Sequence, residues 1–308
     1  MVSILMATFN GEMYLSAQLD SLFAQTNNDF ILYIQDDKST DSTATIISDY
    51  QHKYPGRIVF SQLQKNTGSP KHNFLKLMAE IQDDYVMLCD QDDIWEPDKI
   101  EITLSKMKLI EEEHPRESVM VFTDLIVVDE NLEVINQSFR EAMNSDYART
   151  AFNQTLIQNV LTGCTVMYNR SLSEILRNKV PKYCVMHDWW LLLVASAFAK
   201  IGHVDKQTIL YRQHGRNSVG AKDVRTFSYK LKRFSNVSGI KRAIQETYLQ
   251  AESFLEVYGE MITPNQKAVA KSYCEIPHIN KLSRWLTVWK LGSFKIGVTR
   301  NIVYFLFI

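Results

Sequence analysis

The chain has 308 residues, 45% of them hydrophobic and 22% charged, with 34 Lys and Arg against 35 Asp and Glu. That length and apolar content suffice for one large catalytic domain plus an appendage, and a formal net charge of −1 argues against a nucleic-acid binder. Four cysteines, Cys89, Cys164, Cys184 and Cys274, lack CxxC spacing and lie mostly in apolar contexts, so they read as reduced thiols and not as disulfides or zinc ligands.

The predicted elements begin with a β-prone run, Ser3-Ile4-Leu5-Met6-Ala7, a turn at Thr8-Phe9-Asn10-Gly11, and a helix with Tyr14, Leu15, Leu19, Leu22 and Phe23 at helical spacing. A second strand, Phe30 to Ile34, ends in Gln35-Asp36-Asp37-Lys38-Ser39-Thr40-Asp41-Ser42, ahead of a helix carrying Ile46, Ile47 and Tyr50. Ser39, Thr40 and Asp41 are good N-cap residues, and helix capping is the purely structural alternative for Asp36 and Asp37. A third strand, Arg57 to Ser61, leads through Lys65 to Asn73 into a helix with Phe74, Leu77, Met78 and Ile81.

The fourth strand, Tyr85 to Cys89, is apolar and too short for a helix, and it runs straight into Asp90-Gln91-Asp92-Asp93. Three carboxylates within four positions raise one another's pKa unless a cation or a donor-rich ligand sits among them, so the cluster suggests a divalent metal site. A solvated acidic turn is the plain alternative. Alternating strands and helices imply a mostly parallel α/β sheet, with the polar clusters at one sheet edge, where such folds bind ligands.

Farther on, Asn159 to Met167 reads as a loop entering a strand, and Val185-Met186-His187-Asp188-Trp189-Trp190 opens a long apolar helix to Phe198. Asp188 at that helix start suits a general base, although dipole stabilisation would also select an acid there. Trp189 and Trp190 offer faces for sugar stacking, but adjacent helical residues diverge, so at least one belongs to the core. Gln207 to His214 is a β-prone run ending in hydrogen-bond donors, before a flexible 215–220 stretch that could close over a diphosphate. Arg212, His214 and Asn217 are the residues to watch there.

Beyond residue 220 the charge is uneven. From Lys222 to Arg242 there are seven Lys or Arg against the one acid Asp223, and no acid follows Glu275. Cations mixed with Trp and Phe from Lys281 to Ile308 suit an interfacial helix on anionic lipid; the alternative is a bundle packing on the catalytic domain or on a second subunit, as in a homodimer. The apolar run Ile302 to Ile308 is far below the roughly 20 residues needed to span a bilayer, which predicts peripheral attachment. The chain opens directly on its first strand, with no secretion signal before it. The expectation is therefore a cytoplasmic protein on the inner face of the plasma membrane.

The set Ser3 to Asn10, Gln35 to Asp41, Asn66-Thr67-Gly68 and Asp90 to Asp93 resembles the nucleotide-diphosphosugar domain of inverting family 2 glycosyltransferases. The wording Cys89 to Lys99, with Tyr211-Arg212-Gln213-His214 and Asn217, looks most like bacterial rhamnosyltransferases of cell-wall rhamnan and O-antigen synthesis. The resemblance implies a Rossmann-like GT-A fold, with catalytic domain 1–220 and a basic, aromatic helical region 221–308. It also implies Mn²⁺ or Mg²⁺ and a nucleotide-sugar donor, dTDP-rhamnose first and a UDP-sugar second. The implied acceptor is a polyprenyl-linked glycan.

Residue by residue, the family pattern implies that Asp92 binds the metal and that Asp90 lies nearer the nucleoside; by chemistry alone Asp90 or Asp93 could join Asp92, and His214 in the later loop could be a third ligand. Ala7, Thr8 and Phe9 match the segment flanking the base, and Asp37 matches the position that bonds the pyrimidine edge. Asn10, Glu12, Asn66, Gly68, Lys71, Gln91 and Arg212 are expected around the donor, with Arg212 as a charge partner for phosphate or for the acidic cluster. Asp188 matches the catalytic base, with His187 where the family more often has Glu, and Thr162, Gly163, Cys164, His187, Trp189 and Trp190 are expected around the sugar and acceptor. The competing readings are a UDP-hexose or HexNAc transferase of the same fold and a non-catalytic sugar-nucleotide-binding scaffold. A pyrophosphorylase is disfavoured, because Thr8 to Glu12 lacks the glycine-rich, Arg-containing loop that holds a triphosphate.

Overall fold

The computed structural model describes residues 1–215 and 237–308. Its strands are β1 (Val2–Thr8), β2 (Phe30–Asp36), β3 (Ile58–Gln62), β4 (Tyr85–Cys89), β5 (Ile94–Trp95), β6 (Ser118–Val128), β7 (Val134–Asn136), β8 (Val166–Asn169) and β9 (Ala199–Arg212). The helices are α1 (Leu15–Phe23), α2 (Thr43–Lys53), α3 (Pro70–Glu80), α4 (Lys99–Glu113), α5 (Phe139–Ala142), α6 (Phe152–Thr155), α7 (Arg170–Leu176), α8 (His187–Phe198), α9 (Val237–Tyr258), α10 (Pro264–Cys274), α11 (Lys281–Leu291) and α12 (Val298–Phe307).

Two compact units divide these elements. The first comprises Met1–Glu141, Thr162–Lys179 and residues 200–215; the second comprises Ala142–Leu161, Val180–Ala199 and residues 237–308. Segments 142–161 and 180–199 therefore cluster with the C-terminal helices, whereas the sequence reading groups everything up to residue 220 in one domain.

The first unit is built on one mixed sheet, ordered β3-β2-β1-β4-β8-β6-β9-β5, with β7 paired to β6. Its first half is the expected parallel α/β arrangement: β1 lies between β2 and β4, and β2 pairs β3, all in parallel. From β4 onward the described pairings are antiparallel, β4 with β8, β8 with β6, β6 with β7 and β5 with β9. All seven residues of β1 are buried, as a central strand covered on both faces requires, and Leu15, Leu19 and Leu22 turn one stripe of α1 into the same core. Register brings Thr8 opposite Asp36 and Asp36 opposite Gln62, so three strands deliver their polar exits to one edge. The strand order reverses at β1, which makes the exits of β1, β2 and β4 the crevice of the sheet.

The second unit is helical. Trp190 of α8 packs between Phe254 and Tyr258 of α9, with ring centroids 6.0 Å from each, and Phe152 of α6 closes on Phe254 at 5.4 Å. Thr263 and Gln266 form a capping box at the start of α10, with Pro264 in its first turn. Gly292, at φ 62°, ends α11 in the left-handed conformation that glycine adopts without steric cost.

Candidate active site

The exits of β1 and β2 are stitched together by short side chains. Asp36 accepts from the Thr8 hydroxyl at 2.9 Å and from the Ser39 amide at 2.8 Å. Asn10, at φ 45°, accepts from the Thr40 amide, while its own amide donates to Ser39 Oγ. Glu12 accepts from the Ser42 amide at 2.9 Å. Asn10 and Glu12, expected around the donor, thus spend these groups on holding one loop to the next. Of the expected caps of α2, Asp41 fills the place: its carboxylate accepts from the Thr43 amide at 3.0 Å, two residues on, while Ser42 makes no side-chain cap.

Asp37 is buried and accepts from both the amide and the hydroxyl of Thr67 at 2.8 Å, while Asn66 donates to the Asp37 carbonyl at 3.0 Å. Each carboxylate oxygen carries a second lone pair, so this anchoring leaves capacity for a base edge. Asn66 also accepts from the Gly68 amide, and Gly68 sits at φ +74°, where a side chain would be strained. Lys71 lies one residue into α3, after Pro70, in the same loop-to-helix junction.

Across the crevice, Gln91 grips the backbone of Phe9 from both sides. Its Oε1 accepts from the Phe9 amide at 2.8 Å, and its Nε2 donates to the Phe9 carbonyl at 3.1 Å. Phe9 itself remains 45% exposed, with its ring free to meet a ligand. Gly11 makes room for this clamp, because a Cβ there would stand 2.5 Å from Gln91 Oε1. Sequence reading treats Gly11 only as part of a turn.

The three carboxylates separate into different environments. Asp93 is buried; burial, then the charges of Asp92 and Asp90, push its carboxyl well above the usual carboxylate range, against the opposing hydrogen bond from the Arg212 amide. One ligand atom from each of Asp90, Asp93 and Cys164 lies within 4.8 Å of the others. Asp92 is hydrogen-bonded to His214 instead, with Oδ2 2.8 Å from Nε2.

Tyr14, which the sequence suggests only as a helix position, stands between two of the late residues. Its ring stacks on the Arg212 guanidinium at 4.6 Å and lies 4.8 Å from the His214 ring. Arg212 is almost fully buried and donates to the carbonyls of Asp92 at 2.9 Å and Glu130 at 2.7 Å. Its expected role as a charge partner is refined accordingly: it organises the backbone of the acidic loop.

The donor set fits a hard divalent cation. Asp92 Oδ2 and His214 Nε2 are a hydrogen-bonded pair at 2.8 Å, a spacing that adjacent ligands of an octahedral ion with bonds of roughly 2.1 Å, about 3 Å apart, would also take up. The carboxylates suit Mn²⁺ or Mg²⁺, whereas the buried thiol of Cys164, which burial, ahead of the nearby carboxylates, pushes up and away from thiolate, suits neither. Cys164, expected in a sugar pocket, is corrected: it is 1% exposed and lies beneath the acidic cluster. Gly163 is buried in the same 3₁₀ turn, and Thr162 before it is half-buried.

The remaining expected residues belong to the second unit. Asp188 is half-buried in the first turn of α8 and accepts from the Trp189 amide at 2.6 Å. His187 is buried, which lowers its pKa to about 3 and keeps the ring neutral. Trp189 spends its indole N–H on the Thr155 carbonyl at 2.7 Å. Trp190, expected to face sugar, is corrected: it is completely buried against Phe254 and Tyr258. Asn217 and the rest of 216–220 lie outside the described residues, as do residues 222–236 of the basic run.

Comparison with known proteins gives this geometry a family. The dTDP-rhamnosyl transferase RfbG of Shigella flexneri is 31% identical over 243 residues, 75% of this chain and 78% of that protein. S. aureus TarS 1-349 in complex with UDP-GlcNAc superposes with a TM-score of 0.55 at 18% identity, over 94% of this chain and 84% of that one. The mannosyltransferase PcManGT of Pyrobaculum calidifontis, in complex with GDP-Man and Mn²⁺, superposes at 0.52 and 15% identity, over 94% and 78%. These likenesses establish the GT-A fold. The profile of glycosyl transferase family 2 matches residues 3–176, more than half of the chain, and with the Shigella relative this shows that the chain belongs to glycosyl transferase family 2 and is a glycosyltransferase.

Proposed function

We propose that this glycosyltransferase is metal-dependent and inverting, and that it moves L-rhamnose from dTDP-rhamnose onto a lipid-linked, growing bacterial surface polysaccharide. The observation that supports the metal reading is the carboxylate cluster at the exit of β4, where Asp92 Oδ2 and His214 Nε2 form a hydrogen-bonded pair at 2.8 Å whose shared proton a cation would displace. The sugar reading rests on the Shigella relative, whose name specifies dTDP-rhamnosyl transfer.

In this reading Asp92 and His214 would hold Mn²⁺ or Mg²⁺, which as a Lewis acid would supply positive charge against a leaving diphosphate. The chain's own residues do the rest. Phe9, fixed by Gln91, flanks the base with Ala7 and Thr8, while Asp37, fixed by Thr67, takes the ring edge. Arg212 and Tyr14 hold the acidic loop and the His214 ring in place. Asp188 accepts the proton of the acceptor hydroxyl as that oxygen bonds to the anomeric carbon and the bond to the phosphate oxygen breaks. Its assignment as base rests on the family resemblance.

Calorimetric titration of the chain with dTDP, UDP and GDP, each with Mn²⁺ and with EDTA, tests the reading. Tight, metal-dependent dTDP binding is expected. Preference for UDP would transfer the donor to a UDP-hexose, and failure to bind any of the three would overturn the reading of this crevice as the donor site.

A further inference from the structure

We propose that the outward face of the α11–α12 hairpin is a docking surface for anionic lipid. On α11 the exposed side is the apolar one: Leu282, Trp285, Leu286 and Trp289 recur at i, i+3, i+4 and i+7, and Trp289 is 73% exposed. The opposite side is spent inward, with Val288 buried and Arg284 donating to the carbonyls of Pro277 and Ile279. On α12, Val298, Ile302 and Leu306 repeat the exposed pattern at i, i+4 and i+8, while Tyr304 turns into the core.

Two bonds link the helices that carry these rows. Trp285 Nε1 donates to the Phe305 carbonyl at 2.9 Å, and Lys281 Nζ reaches the Leu306 carbonyl at 3.3 Å. They tie the first turns of α11 to the last turn of α12, beside the exposed rows of both helices. A contiguous exposed patch of this kind marks an interaction site.

Charge selects the occupant. Lys281 and Lys290 stand exposed at the two ends of the α11 stripe, and residues 276–308 hold five Lys or Arg and no acid. A second copy docking the same face would bring these cations together with nothing to neutralise them, whereas an anionic bilayer supplies the counter-charge. Tryptophan and lysine at the rim of an apolar face suit the headgroup boundary. Among the described residues no helix is long and apolar enough to cross a membrane, which matches a hairpin lying on the surface.

Flotation of the full chain with vesicles of phosphatidylcholine, or of equimolar phosphatidylcholine and phosphatidylglycerol, tests the proposal. Partitioning is expected onto the anionic vesicles alone and weakens with salt. The double variant Lys281→Gln/Lys290→Gln should lower it about thirtyfold, at ~1 kcal/mol for each cation near the surface. Leu286→Glu/Trp289→Glu should abolish it, while circular dichroism and thermal unfolding match the parent. Absence of partitioning, equal partitioning onto both vesicles, or undiminished partitioning of Leu286→Glu/Trp289→Glu each overturns the proposal. So does a solution dimer that Leu286→Glu/Trp289→Glu dissolves without any vesicle binding, which would make the face a contact between copies.

Discussion

Lys99 is a cation inside the protein, and replacing it should stabilise the fold. Its side chain is completely buried at the start of α4, where Nζ donates to Thr208 Oγ1 at 3.4 Å and lies 4.7 Å from the Trp95 ring. Desolvation dominates, and despite the nearby thiols and Asp93 it lowers the Lys99 pKa from 10.5 to about 8. Between those two values the unfolded chain binds a proton that the folded chain does not, so stability rises with pH through that window. Below about pH 8 both states are charged and the full penalty applies, 2.5 units at 1.36 kcal/mol each, or about 3 kcal/mol. Lys99→Met keeps the stem and removes the charge. It should raise stability by about 3 kcal/mol near pH 7, or the Tm by roughly 5–10 °C, with the gain shrinking toward zero by about pH 10.5. Denaturant titration of both proteins across this range is the assay. A Met variant less stable than the parent at neutral pH would refute the reasoning and mean that pairing with Asp93 outweighs desolvation.

Gly11→Ala should drive Gln91 off the Phe9 backbone and cost about 1–2 kcal/mol for the two hydrogen bonds, with weaker dTDP binding. Gln91→Ala should cost about the same, and the double variant no more than Gln91→Ala alone; additive losses in urea titration would contradict the clamp. Asp188→Asn should reduce transfer by at least about a hundredfold while nucleotide affinity holds, whereas Asp92→Asn should weaken Mn²⁺-dependent nucleotide binding as well. Equal loss of binding in both variants would contradict this division. Tyr14→Ala should remove about 1 kcal/mol of ring–cation contact with Arg212 and loosen His214, raising the Mn²⁺ concentration needed for half-maximal activity, while Tyr14→Phe stays near the parent. An unchanged Mn²⁺ requirement for Tyr14→Ala would argue against a positioning role.

Local chemistry is legible in the sequence; the way distant segments share it is not. The four parallel strands announce themselves, because a short apolar run between two helical periods fits a buried strand and little else, and Tyr85 to Cys89 is placed to the residue. The 118–128 strand escapes sequence reading, and the antiparallel direction of β6 and β8 leaves no mark in an apolar run. Trp190 and Cys164 carry plausible chemistry in one dimension and are buried in three, since burial depends on α9 in one case and on the floor of the acidic loop in the other. Tyr14 meets Arg212 and His214 across some two hundred positions, a contact no periodicity encodes. The acidic cluster shows the limit most clearly. Its density argues for a cation, yet the carboxylates are not equivalent: Asp93 is drawn inside, pushed toward its neutral form and held by the Arg212 amide above a buried Lys99, which leaves Asp92 to face His214. Three acids within four positions are therefore placed in unlike surroundings, and the fold decides which of them can face a ligand.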